Sequence, residues 1–131
     1  MPVAGADLHG LTHIALAVSD LDRTADFYSR AFGAREYYRD EDSVQLLGPG
    51  PYDVLAFERD PERAGKAGGA IHFGFRLTRP EAIDRALAAV EAAGGRLKER
   101  GDFGGGQVFA FVEDPDGYEI ELWYEDTPPH A

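Results

Sequence analysis

The chain has 131 residues, a formal net charge of −11 and no cysteine. This length suits one compact domain or two fused half-domains. The lack of cysteine excludes disulfides, thiolate metal ligands and cysteine nucleophiles. The acidic balance disfavours nucleic acid and anionic membranes as partners. No apolar run is long enough to span a bilayer, and the first residues lack the basic start of a signal peptide, so a cytoplasmic location is expected.

Two segments show the 3.6-residue periodicity of amphipathic helices. The first is predicted over 20–32, where Asp20 or Ser19 can cap the start and Gly33 can end the helix in a left-handed conformation. The second is predicted over 80–93, where a proline suits the first turn and paired glycines follow the last. Both helices carry one apolar stripe, which indicates that each covers a core.

The remaining segments alternate in hydrophobicity and predict strands separated by turn residues. They are expected at 11–18, 36–39, 43–47 and 53–58, and again at 70–77, 96–100, 107–112 and 118–124. The order is therefore βαβββ twice, an internal repeat with modules at 8–60 and 68–125 inside a single domain spanning 1–131. A charged, glycine-rich linker over 59–69 is predicted between the two modules.

Strand alternation divides the side chains between two faces. One face is large and apolar, and the two helices are its expected cover. The opposite face carries polar residues beside very small ones, and this leaves room for a ligand. The small residues are Ala15, Ala17, Ala56 and Gly74. The predicted fold class is α+β, with two βαβββ modules forming a cup-shaped mixed β-sheet and the helices on its convex face.

Superposing the two halves places His13 on His72 and Ala56 on Glu121. Of the four histidines, the two inside predicted strands thus occupy equivalent positions. Two imidazoles and one carboxylate can hold one divalent ion and leave positions open to water or substrate. This donor set suits Fe, Mn, Ni, Co or Zn rather than calcium. We therefore expect one divalent metal ion at His13, His72 and Glu121.

Three further side chains on that face are candidates for a role. Glu58 can act as a fourth ligand or a general base, or be an exposed acid at a strand end. Arg76 can pair with a substrate carboxylate or phosphate, or point to solvent. Trp123 can stack on a flat ligand, or pack in a core or interface. The prediction assigns catalysis to Glu58 and substrate binding to Arg76 and Trp123.

These features together resemble the vicinal oxygen chelate superfamily of glyoxalases, bleomycin resistance proteins and extradiol dioxygenases. The resemblance rests on the repeat and on LTHIALAVSDL at 11–21, FY at 27–28, FG at 32–33 and DPDGYEIEL at 114–122. It covers about residues 8–125. It implies metal ligands at His13, His72 and Glu121, a small-molecule substrate and a homodimer.

The resemblance leaves the reaction open, because each branch departs from this sequence. Glyoxalases and epimerases carry a fourth ligand where Ala56 stands, dioxygenases a tyrosine where Phe111 stands, and fosfomycin-resistance transferases a threonine where Ala15 stands. The expected function is a divalent-metal-dependent enzyme acting on a small oxygenated molecule by lyase, isomerase, transferase or dioxygenase chemistry. The alternative is a metal-independent protein that sequesters a cationic antibiotic or toxin, as bleomycin-resistance members do.

Overall fold

The computed structural model describes residues 6–104 and 106–126, and these form two βαβββ modules. The first module contains β1 (His13–Val18), α1 (Leu21–Phe32), β2 (Arg35–Arg39), β3 (Ser43–Leu47) and β4 (Val54–Arg59). The second contains β5 (Phe73–Arg76), α2 (Ala82–Ala92), β6 (Arg96–Asp102), β7 (Val108–Glu113) and β8 (Glu119–Trp123). The predicted α+β repeat is confirmed, with its elements in the expected order.

Helix α1 has the ends that the sequence predicted. The Asp20 carboxylate accepts a 3.0 Å hydrogen bond from the Arg23 N–H, and Gly33 closes the helix at φ 71°. Helix α2 is shorter than the predicted 80–93: it begins after Glu81, whose side chain makes no capping hydrogen bond. The residues before it form a turn in which the Ala82 N–H donates to the Arg79 carbonyl. Within the described residues, no helix is long and apolar enough to cross a membrane.

The first strand of each module is shorter than predicted. β1 starts at His13 instead of residue 11, and β5 covers four residues instead of the predicted 70–77. Both are edge strands, β1 beside β4 and β5 beside β8. β1 pairs with β4 only from His13 onward, and β5 pairs with β8 only from Phe73 onward. His72 consequently lies just before β5, not inside a strand as predicted.

Each module has its own mixed four-stranded sheet. The strand order is β1-β4-β3-β2 in the first sheet and β5-β8-β7-β6 in the second. β1 is parallel to β4, with Ala15 opposite Ala56, and β5 is parallel to β8, with Gly74 opposite Glu121. The register therefore gives Ala56 and Glu121 equivalent positions, as the superposition of the two halves predicted.

The large apolar side chains of both modules form one core. Leu55 and Phe57 of the first sheet and Ile120 and Leu122 of the second are buried on the face predicted to need cover. Helix α1 contacts β2, β3 and β4, helix α2 contacts β6 and β7, and the helices contact each other. The opposite face of each sheet, which carries the predicted ligands, is therefore not covered by helices.

Candidate metal centre

His72 and Glu121, two of the three predicted ligands, lie together on the uncovered face of the second sheet. Nε2 of His72 is 3.5 Å from Oε1 of Glu121, and their side chains are 34% and 22% exposed. Ligand atoms bound to one ion at about 2.0–2.2 Å are roughly 3–3.5 Å apart. The spacing therefore fits two neighbouring positions around one metal that is open to solvent and substrate.

A glycine allows Glu121 to lie this close to β5. A Cβ at Gly74 would be 2.7 Å from the Glu121 carbonyl oxygen and 3.3 Å from the Glu121 Cβ. A larger residue would push the two strands apart. Gly74, expected to leave cavity space, is instead required by the close approach of β5 and β8.

A second carboxylate lies beside the other nitrogen of His72. Nδ1 is 3.8 Å from Oε2 of Glu119, whose Oε1 accepts a 2.7 Å hydrogen bond from Lys98. A carboxylate beside the non-coordinating nitrogen orients an imidazole ligand and increases its basicity. Sequence reasoning missed Glu119 as a site residue, although strand alternation places it on the same face as Glu121.

His13 occupies the equivalent place on the first sheet. The Thr12 hydroxyl is hydrogen-bonded to its Nδ1, which leaves Nε2 as the nitrogen available to a metal. Over residues 6–104 and 106–126, however, no three His, Asp or Glu side chains are grouped closely enough to hold one ion. One chain thus joins His72 to Glu121 without bringing His13 to them, and the three-ligand centre stays a prediction.

Glu58, the predicted catalytic group, is exposed near the end of β4. It is two residues beyond Ala56 on the same face and lies opposite Ser43 of β3. Together with Ser43 and Gln45 it lines a shallow cavity of about 280 Å³. Glu58 therefore belongs to the first sheet, like His13, and its catalytic role stays a prediction.

Arg76, the predicted substrate-binding cation, has a partner within the chain. Its Nη1 donates a 2.9 Å hydrogen bond to Oε1 of Glu125, and this contact lowers the pKa of that carboxyl below its ordinary value. The arginine is about half exposed. A substrate anion would have to compete with Glu125, so the structure gives Arg76 a structural partner rather than an open charge.

A cavity of about 260 Å³ separates β1 from the segment that leads into β5. It is lined by Ala15 and Ala17 on one side and by His72 on the other, with Arg63 and Lys66 of the inter-module segment nearby. A space of this size suits a small molecule. His72 is therefore accessible from a cleft as well as from the open face of its sheet.

Trp123 belongs to a run of aromatic rings that sequence reasoning missed. We call this run the aromatic strip, and it consists of Phe103, Phe109, Phe111 and Trp123. The ring centroid of Phe103 is 4.8 Å from that of Phe109 and 5.5 Å from that of Trp123. The strip continues from Phe109 to Phe111 at 5.8 Å, and from Phe111 to His72 at 5.1 Å. The sequence feature that could have indicated the strip is the alternation of phenylalanines along β7.

The paired βαβββ modules define an α+β fold whose uncovered sheet face carries the His72–Glu121 pair. Comparison with known proteins assigns the family. The sequence profile of the Glyoxalase/Bleomycin resistance protein/Dioxygenase superfamily matches residues 10–122. A lactoylglutathione lyase of Escherichia coli is 34% identical over 129 residues, which cover 86% of this chain and 90% of the relative. The chain belongs to the Glyoxalase/Bleomycin resistance protein/Dioxygenase superfamily.

Two further comparisons define how far this likeness extends. A lactoylglutathione lyase of Arabidopsis thaliana is 34% identical over 129 residues, and these cover 89% of this chain but 44% of the relative. Across three plant relatives the chain spans 38% to 47% of their length. The chain is also similar to a crystal structure of a mutant fosfomycin resistance protein from Listeria monocytogenes, which is complexed with Mn(II) and a dihydroxypropylphosphonic acid. The TM-score is 0.75 and the sequence identity 24%, and the match covers 89% of this chain and 90% of that chain.

These comparisons confirm the resemblance predicted from the sequence. They also confirm, at the level of the superfamily, the expectation of small-molecule enzymes whose reaction is unresolved. The solved structure shares the fold, and the lyases share the sequence pattern. The reaction of this particular chain is a matter for proposal.

Proposed function

We propose that this chain is a divalent-metal-dependent enzyme acting on a small oxygenated molecule, with His13, His72 and Glu121 as ligands. The observation that carries the proposal is the 3.5 Å spacing of His72 Nε2 and Glu121 Oε1 on an open sheet face. The Mn(II) complex of the similarly folded fosfomycin resistance protein adds support. Fe, Mn, Ni, Co and Zn all accept this donor set, and the reaction remains open among lyase, isomerase, transferase and dioxygenase chemistry.

We infer that His13 reaches the site from a second copy of the chain. β1 and β5 are edge strands, and beside His13 and His72 lie Leu11 and Ile71, which are 96% and 76% exposed. Exposed apolar residues at open sheet edges favour association. A two-fold dimer that brings β1 of one copy to β5 of the other would form two equivalent sites. The cytoplasmic location stays a prediction from the sequence.

A bound ion would polarise a substrate oxygen and lower the pKa of a bound water. The residues of the chain would orient the ligands and move protons around that ion. Glu119 would orient the imidazole of His72 by accepting a hydrogen bond from Nδ1, which lies 3.8 Å from its Oε2 in the structure. Glu58, on the same sheet as His13, is the candidate base that would accept a substrate proton. Ala56 stands where its equivalent in the second module is a carboxylate, so substrate oxygens would meet no fourth protein ligand there.

Metal analysis of protein purified without chelator tests the ligand set. We expect wild-type protein to bind metal stoichiometrically and to melt at a higher temperature with Mn(II) or Ni(II). His72→Ala and Glu121→Ala should remove both responses. His9→Ala, at an exposed histidine that stacks on Tyr52, is the matched control. A wild-type protein that responds to no divalent ion would contradict the proposal, and ligand sequestration unaffected by His13→Ala would favour the binding-protein alternative.

Mixed dimers test whether the site is shared between copies. A dimer of one His13→Ala chain and one Glu121→Ala chain keeps one complete site if His13 serves the other copy's His72 and Glu121. In an equimolar mixture whose chains exchange freely, we expect metal binding to return to about a quarter of wild type, because about half of the dimers are mixed and one of the two sites in each mixed dimer is intact. A mixture of His72→Ala and Glu121→Ala chains is the control and should recover nothing. No recovery in the first mixture would contradict the shared site.

A further inference from the structure

Phe109 of the aromatic strip lies across a glycine of the neighbouring strand. A Cβ at Gly101 of β6 would be 2.6 Å from Cε1 and 2.7 Å from Cζ of Phe109. The glycine therefore makes room for the ring to cover β6. Phe103 stacks on Phe109 with an interplanar angle of 28° and is tilted against Trp123 at 54°. The three rings form a platform at one end of the strip.

The ring at the outer end of this platform is held in place yet exposed. Phe103 is 62% exposed although its backbone is fixed in the β6–β7 hairpin. Its N–H donates to the Gln107 carbonyl at 2.9 Å, and the Gln107 N–H donates to the Gly104 carbonyl at 3.2 Å. A rigid, exposed aromatic ring offers a large contact area to another flat group at a small entropic cost.

The aromatic strip ends at the candidate metal centre. Phe111 lies between Phe109 and His72, and its ring meets the imidazole nearly edge-on, at an interplanar angle of 68°. Phe111 is also directly opposite Glu121 in the β7–β8 register. If the oxygens of a bound molecule lie near His72 and Glu121, the rest of that molecule would therefore lie along the aromatic strip.

The charges around the strip disfavour an anionic group. Three basic side chains on this sheet are each ion-paired with a carboxylate: Arg76 with Glu125, Arg96 with Glu113 and Lys98 with Glu119. Glu121 adds a negative charge at the end of the strip. An anionic ring would have to displace one of these carboxylates from its partner.

We propose that the aromatic strip binds a planar substrate ring that carries no negative charge, while the substrate's oxygens face the proposed metal centre. The metal end of this arrangement rests on the proposed function, whereas stacking on Phe103, Phe109 and Trp123 does not. The strip thus selects substrates that carry an aromatic ring, and Phe103 is the residue that determines this specificity.

Trp123 is the only tryptophan in the chain, so its fluorescence reports directly on the strip. Phenylethylene glycol and its cyclohexyl analogue are titrated into metal-free protein, since they differ only in the flat ring. We expect the phenyl compound to change Trp123 fluorescence and to bind several-fold to about tenfold more tightly. Phe103→Leu should remove that preference, while Tyr52→Leu, at another exposed aromatic residue, should keep it.

Three results would overturn this inference. Equal affinity for the phenyl and cyclohexyl compounds would show that the strip does not select a flat ring. A phenylethylene glycol with a carboxylate on its ring binding as tightly as the unsubstituted compound would contradict the exclusion of anionic rings. A change from dimer to monomer in Phe103→Leu, measured by sedimentation, would assign the strip to a subunit interface. The titration uses metal-free protein, so a protein that binds no metal can still show the ring preference. If the protein binds metal but shows no ring preference, only the inference about the strip is overturned.

Discussion

The Tyr28 hydroxyl donates a 2.7 Å hydrogen bond to Oδ2 of Asp114, joining helix α1 of the first module to the turn before β8 of the second. Both side chains are buried. Oδ1 of Asp114 accepts further hydrogen bonds from the backbone N–H groups of Asp116 and Tyr118, each at 2.9 Å. Three donors thus compensate the buried acid, and the tyrosine bond is one of several hydrogen bonds that join the two modules.

Tyr28→Phe should lower the free energy of unfolding by about 1–3 kcal/mol, because Asp114 would lose a donor inside the core. Urea denaturation measures the change. Tyr38→Phe is the matched control, since the Tyr38 hydroxyl makes a 2.9 Å bond to Asp40 at the surface. Its effect should stay within about 0.5 kcal/mol. If both variants lose the same free energy of unfolding, the buried Tyr28–Asp114 bond contributes no more to stability than the surface Tyr38–Asp40 bond.

Stability should fall at alkaline pH partly through the same tyrosine. Burial, followed by the nearby Asp114 charge, raises the pKa of Tyr28 well above the ordinary tyrosine value of about 10. The folded protein then keeps a proton that the unfolded chain releases, so stability decreases as pH rises past about 10. Unfolding free energies measured across this range should decrease less steeply in Tyr28→Phe than in wild type. Parallel curves would mean that Tyr28 does not carry the effect.

Gly74→Ala should damage the metal centre through the backbone. The added Cβ would lie 2.7 Å from the Glu121 carbonyl oxygen, so β5 and β8 must separate, at a cost of about 1–3 kcal/mol. We expect lower thermal stability together with weaker Mn(II) binding by calorimetry. Gly69→Ala is the control, because a Cβ there meets nothing within 4 Å. Unchanged metal affinity in Gly74→Ala would separate this glycine from the site.

Ala56→Glu tests the equivalence of the two modules. It places a carboxylate at the position of the first sheet that corresponds to Glu121 of the second. If His13 completes the centre, the new acid should join the same ion and tighten Mn(II) binding by about tenfold, because affinity rises with the number of charged ligands. Ala56→Leu, which adds bulk without an oxygen, should give no such gain. Equal affinities in the two variants would argue that this face of the first sheet does not approach the metal.

Local patterns in the sequence determined most of the secondary structure and the division into faces. The ends of α1 follow from Asp20 and Gly33, because a cap depends on residues within one turn. The shared face of Ala15, Ala56, Gly74 and Glu121 follows from the period of two along each strand. The register that puts Ala56 opposite Ala15 and Glu121 opposite Gly74 was not predicted from the sequence. The repeat and the His–Glu pair of the second module could therefore be predicted from the residues alone.

Tertiary structure alone decided the rest, because it depends on contacts between segments far apart in the chain. β5 is shorter than its apolar run, since it pairs with β8 only over Phe73–Arg76. The stacking of Phe103 on Phe109 depends on the β6–β7 hairpin and on the space above Gly101. Within the described residues His13 does not join His72 and Glu121 in one group, because helix packing and inter-module contacts such as the Tyr28–Asp114 bond place the two sheets, and no local pattern encodes these contacts.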